Sequence, residues 1–497
     1  MRHNAHHVGT RVVVPLVLFV VAFLVRLIPL LDGAGWYPVD NYDPSVYYAA
    51  AVGLFEGRLP YRDFLLLHPP GLLVFLQPFA ALGAVVGDPV ANLVARLAFM
   101  VLGSVTVVLI YRLLLGRGLA PALLGAGFYL SYFPALYVER TTRLEGLASA
   151  LVVVGLVVLA PVVRRGQLTW WRAGIAGALF GLGVTVKIWG IVLVAALVAW
   201  LLVADRIRTA AAAAGGAVVG MAAVLVPFQL AAPQMWNMVV LDQLGRPRSD
   251  LTIMDRLLAL VGLGELRFSP PPDWVIWTLA GVVVVFAAFA LADRMGRFFV
   301  LLFVTALATL LIGPSWYSHY PEFAAVPLAL VLGTGLAQMV GAGRRSLHSA
   351  VAAATAVVVA AGAVVQFATP EGSPFAVREV TAVVRDRAGC ITTDNPVSLI
   401  LTNTLRRNLR QGCPLVVDLS GYIYNITRTA DADPLRSDNP AFQRELMNYL
   451  ASGNTAIIMR LWPDSFSAQS QAEVRSWPSL GVFDGHHIRQ PIPRGAR

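Results

Sequence analysis

Long apolar runs separated by short polar links occupy the chain from Val12 to about residue 368. The first, Val12 to Leu31, is long enough to span the ~30 Å hydrocarbon core at about 1.5 Å per residue. Further runs fall at 90–114, 119–138, 144–163, 173–187, 188–204, 210–231, 274–292, 298–314, 320–340 and 348–368. The pattern therefore predicts a membrane α-helical fold with about 11 transmembrane helices. Segment 69–87 is apolar but punctuated by Pro and Gly, and counting it as a span would reverse the side of every later arginine cluster. It is expected to be a juxtamembrane helix in the first outer loop. The run 173–204 has arginines at both ends, so the chain should cross twice there, with short arms. No small-residue cleavage site follows the first run, which reads as an uncleaved helix.

Composition agrees with the pattern. Apolar residues make up 57% of the chain and charged ones 13%, whereas roughly a quarter of a soluble domain is charged. The net charge is +10, but the basic residues stand in pairs between apolar runs, which speaks for membrane topology and against nucleic acid. Arg112, Arg117, Arg164, Arg165, Arg206 and Arg208 share one face with few acids. By the positive-inside rule that face is cytoplasmic, so the N-terminus is cytoplasmic in a multi-pass plasma-membrane protein. The opposite face then owns loops 32–89 and 232–273 and the tail after residue 368.

The tail changes character. Arginines and acids alternate with short β-type runs (Cys390–Thr392, Leu415–Val417, Thr455–Met459) and a helical stretch at Pro440–Ala451. The expected organisation is a membrane domain, 1–368, and a small α/β extracytoplasmic C-terminal domain, 369–497. The only two cysteines, Cys390 and Cys413, either close a loop worth on the order of 3 kcal/mol or are unrelated buried thiols.

Candidate chemistry lies in the outer links. Asp40 and Asp43 follow the first span directly, and a partly desolvated carboxylate is a better base than one in bulk water. Asp43 before Pro44 also suits a helix cap, a role compatible with the first. Next come Gly57–Phe64 and His68-Pro69-Pro70-Gly71, then a link from Glu139 to Glu145 that carries Arg140 and Arg143. Such a link could be ion-paired and nothing more. Lys187, the sole lysine, lies inside an apolar run, where a charge costs about 2.5–3.5 kcal/mol. Either it snorkels to the interface or it serves a site that needs a compact ammonium. The link from Gly313 to Glu322 adds His319 and Tyr320, and interfacial anchoring explains only its aromatic residues.

In order and sidedness these clusters resemble the C-type superfamily of polytopic membrane glycosyltransferases, which contains protein O-mannosyltransferases and lipid A aminoarabinose transferases. The resemblance covers roughly residues 10–370: Asp43 in DPSVYYAAA, Gly57–Phe64, HPPG at 68–71, Arg-Leu-Glu at 143–145, Gly181–Lys187, and the link from His319. It implies transfer of a sugar from a polyprenyl-phosphate donor to a cell-envelope acceptor (glycan, lipid or protein) on the outer face. It implies an inverting displacement with Asp43 as base, and Lys187, Arg143, His319 and Arg96 as donor-phosphate ligands. Asp40, His68, Glu145 and Tyr320 are further site candidates, and a divalent cation is left open as cofactor. The acidic motif departs from the family pattern, reading Asp-Pro where many relatives have Asp-Glu. From the residues alone, a transporter or lipid-linked sugar flippase and a non-catalytic membrane scaffold are the competing readings.

Overall fold

The computed structural model describes residues 9–31, 36, 42–164, 169–204, 207–260, 273–341, 374–429 and 435–492. Asp40 and the run expected to span at 348–368 lie outside them. Among the described residues six helices are long and apolar enough to cross a membrane: Arg11–Leu31, Asp88–Leu115, Ile207–Leu244, Asp273–Ala290, Arg294–Ile312 and Tyr320–Val340. A seventh span exists if Leu119–Ser131 and Phe133–Glu139, bent by 60° to each other, count as one. The apolar run predicts one straight helix at 119–138. Pro134 explains the break, because it has no N–H to donate to the Leu130 carbonyl and its ring would clash with that group in a continuous helix. Helices at Leu144–Arg164, Trp170–Val186 and Gly190–Ala204 occupy further expected runs, the last two with 17 and 15 residues. The protein is thus a mostly helical, multi-pass membrane protein with a small α/β sheet near its C-terminus.

The chain divides into two compact units. The first comprises 1–29, 97–225 and 249–370. Its core is built from helix faces rich in Ala, Leu, Val and Phe, including Tyr111, Tyr129, Phe180 and Phe298, all almost fully buried. Two of its helices touch through backbone. A Cβ at Gly177 or Gly181 would run into the carbonyls of Ala213 or Ala217, and one at Gly216 or Gly220 into those of Gly174 or Ala178. Between apolar helices in lipid, such small-residue seams supply the close packing that the hydrophobic effect cannot.

The second unit comprises 30–96, 226–248 and 371–497, so the tail shares it with most of the segment between the first two spans. Its sheet has the order β1-β2-β4-β3, with β1 (Ile391–Thr393), β2 (Thr455–Ile458), β3 (Ser479–Phe483) and β4 (His486–Arg489). β1 runs parallel to β2 and the other pairs are antiparallel. The β3–β4 hairpin turns at Asp484-Gly485, whose φ values of 47° and 78° suit a tight hairpin turn. Leu415–Val417, β-type in sequence, forms no strand. Pro440–Ala451 is helical, started by the Asn439 side chain, which accepts from the Phe442 N–H at 2.9 Å. Cys390 and Cys413 form a disulfide.

Candidate functional site

In the first unit, the link after Phe133–Glu139 packs its charged residues inward. Glu139, Arg140, Arg143 and Glu145 are all at most 5% exposed. Lys187 ends the Trp170–Val186 helix with extended backbone, and its carbonyl accepts from the Gly190 N–H at 2.9 Å as the next helix begins. The helix therefore breaks at the lysine. Its side chain is only 3% exposed and forms an ion pair with Glu145, so it does not snorkel out of the protein.

Two more of the expected residues join this pair. His319 Nε2 is 3.5 Å from Glu145 Oε1, and Arg143 Nη1 lies 3.0 Å from His319 Nδ1. Arg143 Nη2 donates to the Tyr137 hydroxyl at 3.1 Å. Lys187 Nζ sits 4.1 Å from the centroid of Trp189 and 4.4 Å from that of Tyr320, and the two rings meet edge to face. Lys187, Arg143, His319, Glu145 and Tyr320 thus form one cluster. It brings two fixed cations and an imidazole together around the Glu145 carboxylate, and aromatic walls lower its dielectric. Such a site suits an anion with more than one acceptor oxygen.

A second buried network adjoins this link. Arg26 Nε donates to Glu139 at 2.9 Å, and the Tyr129 hydroxyl stands 2.7 Å from Glu139 and 3.1 Å from Glu322. It ties the first span to Glu139, at the start of the Arg143 link, and to the turn Tyr320–Ala324.

Asp43 belongs to the second unit. The helix Tyr42–Phe55 begins one residue before it, so Asp43 lies in the first turn and not at the cap. There the unsatisfied N–H groups and the helix dipole favour a carboxylate. Ser45 Oγ donates to the Tyr42 carbonyl at 2.6 Å and stands 3.1 Å from Asn395 Oδ1. Farther along, Arg406 reaches Asp88 at 3.0 Å and Glu56 at 2.8 Å, and the Tyr48 hydroxyl donates to Asp88 at 3.1 Å. These contacts fix the outer-loop helices to tail helix Leu405–Arg410.

Arg96, expected among the phosphate ligands, lies in this unit and donates to the Trp36 carbonyl at 2.9 Å. His68 stands edge-on to Tyr47, and its carbonyl accepts from the Tyr61 hydroxyl at 2.7 Å. The Gly57–Phe64 stretch closes on itself: the Leu59 N–H donates to Asp63 at 2.7 Å, and Arg62 pairs with Asp63 at 2.8 Å. Arg62 holds the exposed Asp63 carboxyl down at about 2.

Residues 67–230 match the family described as dolichyl-phosphate-mannose-protein mannosyltransferase. The chain is a membrane glycosyltransferase of the lipid-phosphate-sugar class. Similar solved structures agree in fold over nearly the whole glycosyltransferase. ArnT from Cupriavidus metallidurans bound to undecaprenyl phosphate is 14% identical with a TM-score of 0.59, covering 96% of this chain and 99% of that one. The apo state of the same protein gives 15% and 0.54 over the same shares. A comparison of the sequence with curated proteins gives no match. The enzyme reading thus stands over the transporter and scaffold readings.

Sequence reasoning missed the residues of the glycosyltransferase's tail that meet the Asp43 helix. The Tyr42 hydroxyl donates to Asp418 at 3.2 Å and accepts from the Ser420 N–H at 2.9 Å. The Arg460 guanidinium stacks 4.2 Å from the Tyr42 centroid. The one local signal is the turn sequence Asp418-Leu419-Ser420-Gly421. Among the described residues no three His, Cys, Asp or Glu side chains gather as a metal site, so no ligand set is named for a divalent cation.

Proposed function

We propose that the enzyme transfers a sugar from a polyprenyl-phosphate donor to a hydroxyl of a cell-envelope acceptor, by a single inverting displacement with Asp43 as the base. The observation that carries this reading is the buried cluster in which Lys187, Arg143 and His319 converge around Glu145. Asp43 takes the proton of the acceptor hydroxyl as its oxygen bonds to the anomeric carbon. The bond from that carbon to the phosphate oxygen breaks, and polyprenyl phosphate leaves with the electron pair. Lys187 and Arg143 stabilise the charge that grows on the leaving phosphate, and low dielectric around them strengthens each contact. Glu145 and Tyr320 orient the ammonium. Arg96, Asp40 and His68 stay as secondary candidates.

Eleven crossings, a cytoplasmic N-terminus and an extracytoplasmic domain 369–497 complete the proposal. The arginine distribution supports them, because nucleotide sugars are cytosolic and an outward site needs a donor carried on a lipid. Purified enzyme assayed with a panel of polyprenyl-phosphate sugars tests the reading. Turnover with at least one donor is expected, and Asp43→Asn should lose roughly 10²–10⁴-fold in kcat. Full activity in Asp43→Asn sinks the base assignment.

A further inference from the structure

We propose that Asp418 is a positioning residue for the base: the two carboxylates that flank Tyr42, Asp43 beside it in the chain and Asp418 through its hydroxyl, act as a pair in which Asp418, by holding the Tyr42 hydroxyl, fixes the helix start that carries Asp43. The proposal rests on Asp43 being the base.

The hydrogen bonding around Tyr42 gives the pair its direction. The Ser420 N–H donates to the Tyr42 oxygen at 2.9 Å, so the phenolic proton points to Asp418 Oδ1, 3.2 Å away. The same Oδ1 accepts from the Gly421 N–H at 2.9 Å. Any Cβ at residue 421 would strike Asp418 Oδ2, which explains the glycine there. Arg460 clamps the arrangement from the other side, with its guanidinium over the Tyr42 ring and Nη2 on Ser420 Oγ at 3.2 Å. A loop of the tail thereby grips the residue immediately before the base.

Electrostatics agree with the geometry. Burial, then the charge of Asp43, push the Asp418 carboxyl up to about 6, against the Gly421 and Tyr42 hydrogen bonds and the charge of Arg246. Arg460 bears on Tyr42, and Tyr422 feels the Asp418 charge in turn. Below that pH Asp418 carries its proton and holds the Tyr42 hydroxyl less strongly. Above it, the ionised carboxylate accepts the Tyr42 hydrogen bond more strongly and holds the start of the Asp43 helix in place.

The test is the pH dependence of kcat/KM of the full-length enzyme. Wild type should show an acidic limb near pH 6, which Asp418→Asn moves down by about one pH unit with a lower plateau, and which Asp418→Glu keeps in place. Tyr42→Phe keeps the ring under Arg460 but removes a hydrogen bond that favours ionised Asp418, so its limb should move up. Opposite shifts in the two variants are beyond a merely structural role. Limbs that stay put in both overturn the pair, whether or not activity falls. If Asp43→Asn is inactive while these limbs do not move, the pair fails and the base stands; if Asp43→Asn is active, the base assignment itself fails.

Discussion

Lys187 illustrates how much a single residue can disclose through composition alone. Its isolation in an arginine-rich chain marks it, and the fold encloses it with Glu145 and two aromatic rings. Removing one member of a buried ion pair leaves the other uncompensated, at a cost of about 3–5 kcal/mol. Lys187→Met should therefore lower both Tm and donor affinity. Lys187→Met combined with Glu145→Gln should recover Tm without recovering donor affinity, and thermal melts alongside donor titrations would separate the two effects. Asp418 is invisible in sequence because an aspartate in a turn is ordinarily solvated, and only the fold brings Tyr42 and Asp43 to it. The raised carboxyl has a consequence for stability. The folded state holds the Asp418 proton more tightly than the unfolded chain, so the stability it contributes is present below about pH 3.8 and is lost as pH rises through about 6. Asp418→Asn should thus gain Tm relative to wild type at pH 7 compared with pH 4.5.

At the level of elements, hydrophobic periodicity locates helices well and breaks less well. The runs at 12–31, 90–114, 274–292 and 298–314 form helices of spanning length, and Pro29, near the end of the first, removes one donor without ending it. The bend at Tyr132 and the break at Lys187 coincide with local features, Pro134 and a buried ion pair. The arrangement of the tail is less legible. Its β3–β4 hairpin depends on two residues with positive φ, and its attachment to the outer-loop helices depends on Arg406. Arg406→Ala would leave Asp88, fully buried, without its cation. A loss of about 3–5 kcal/mol is expected, read as a fall in Tm and earlier proteolysis of the tail. Tyr48→Phe, which removes one hydrogen bond to the same carboxylate, should cost only about 1–2 kcal/mol.

For the whole molecule, composition already excludes a soluble enzyme, and the order of the outer motifs carries the family resemblance. Neither reveals that the first outer loop and the tail share one compact unit, because contacts between residues more than 300 positions apart leave no local pattern. The proposed orientation rests on the arginine distribution. Reporter fusions after Arg344 and at the C-terminus should fall on opposite sides of the membrane, the former cytoplasmic; a shared side would refute the eleven-span topology. The central claim divides the work between a cationic cluster that holds the donor phosphate and a carboxylate that removes the acceptor proton. Equilibrium binding of a radiolabelled polyprenyl-phosphate sugar, measured beside single-turnover transfer in Asp43→Asn and Lys187→Met, tests that division most directly. Asp43→Asn should bind donor as wild type does and fail to transfer, whereas Lys187→Met should bind at least about tenfold more weakly. Transfer by Asp43→Asn, or undiminished donor binding by Lys187→Met, would contradict it.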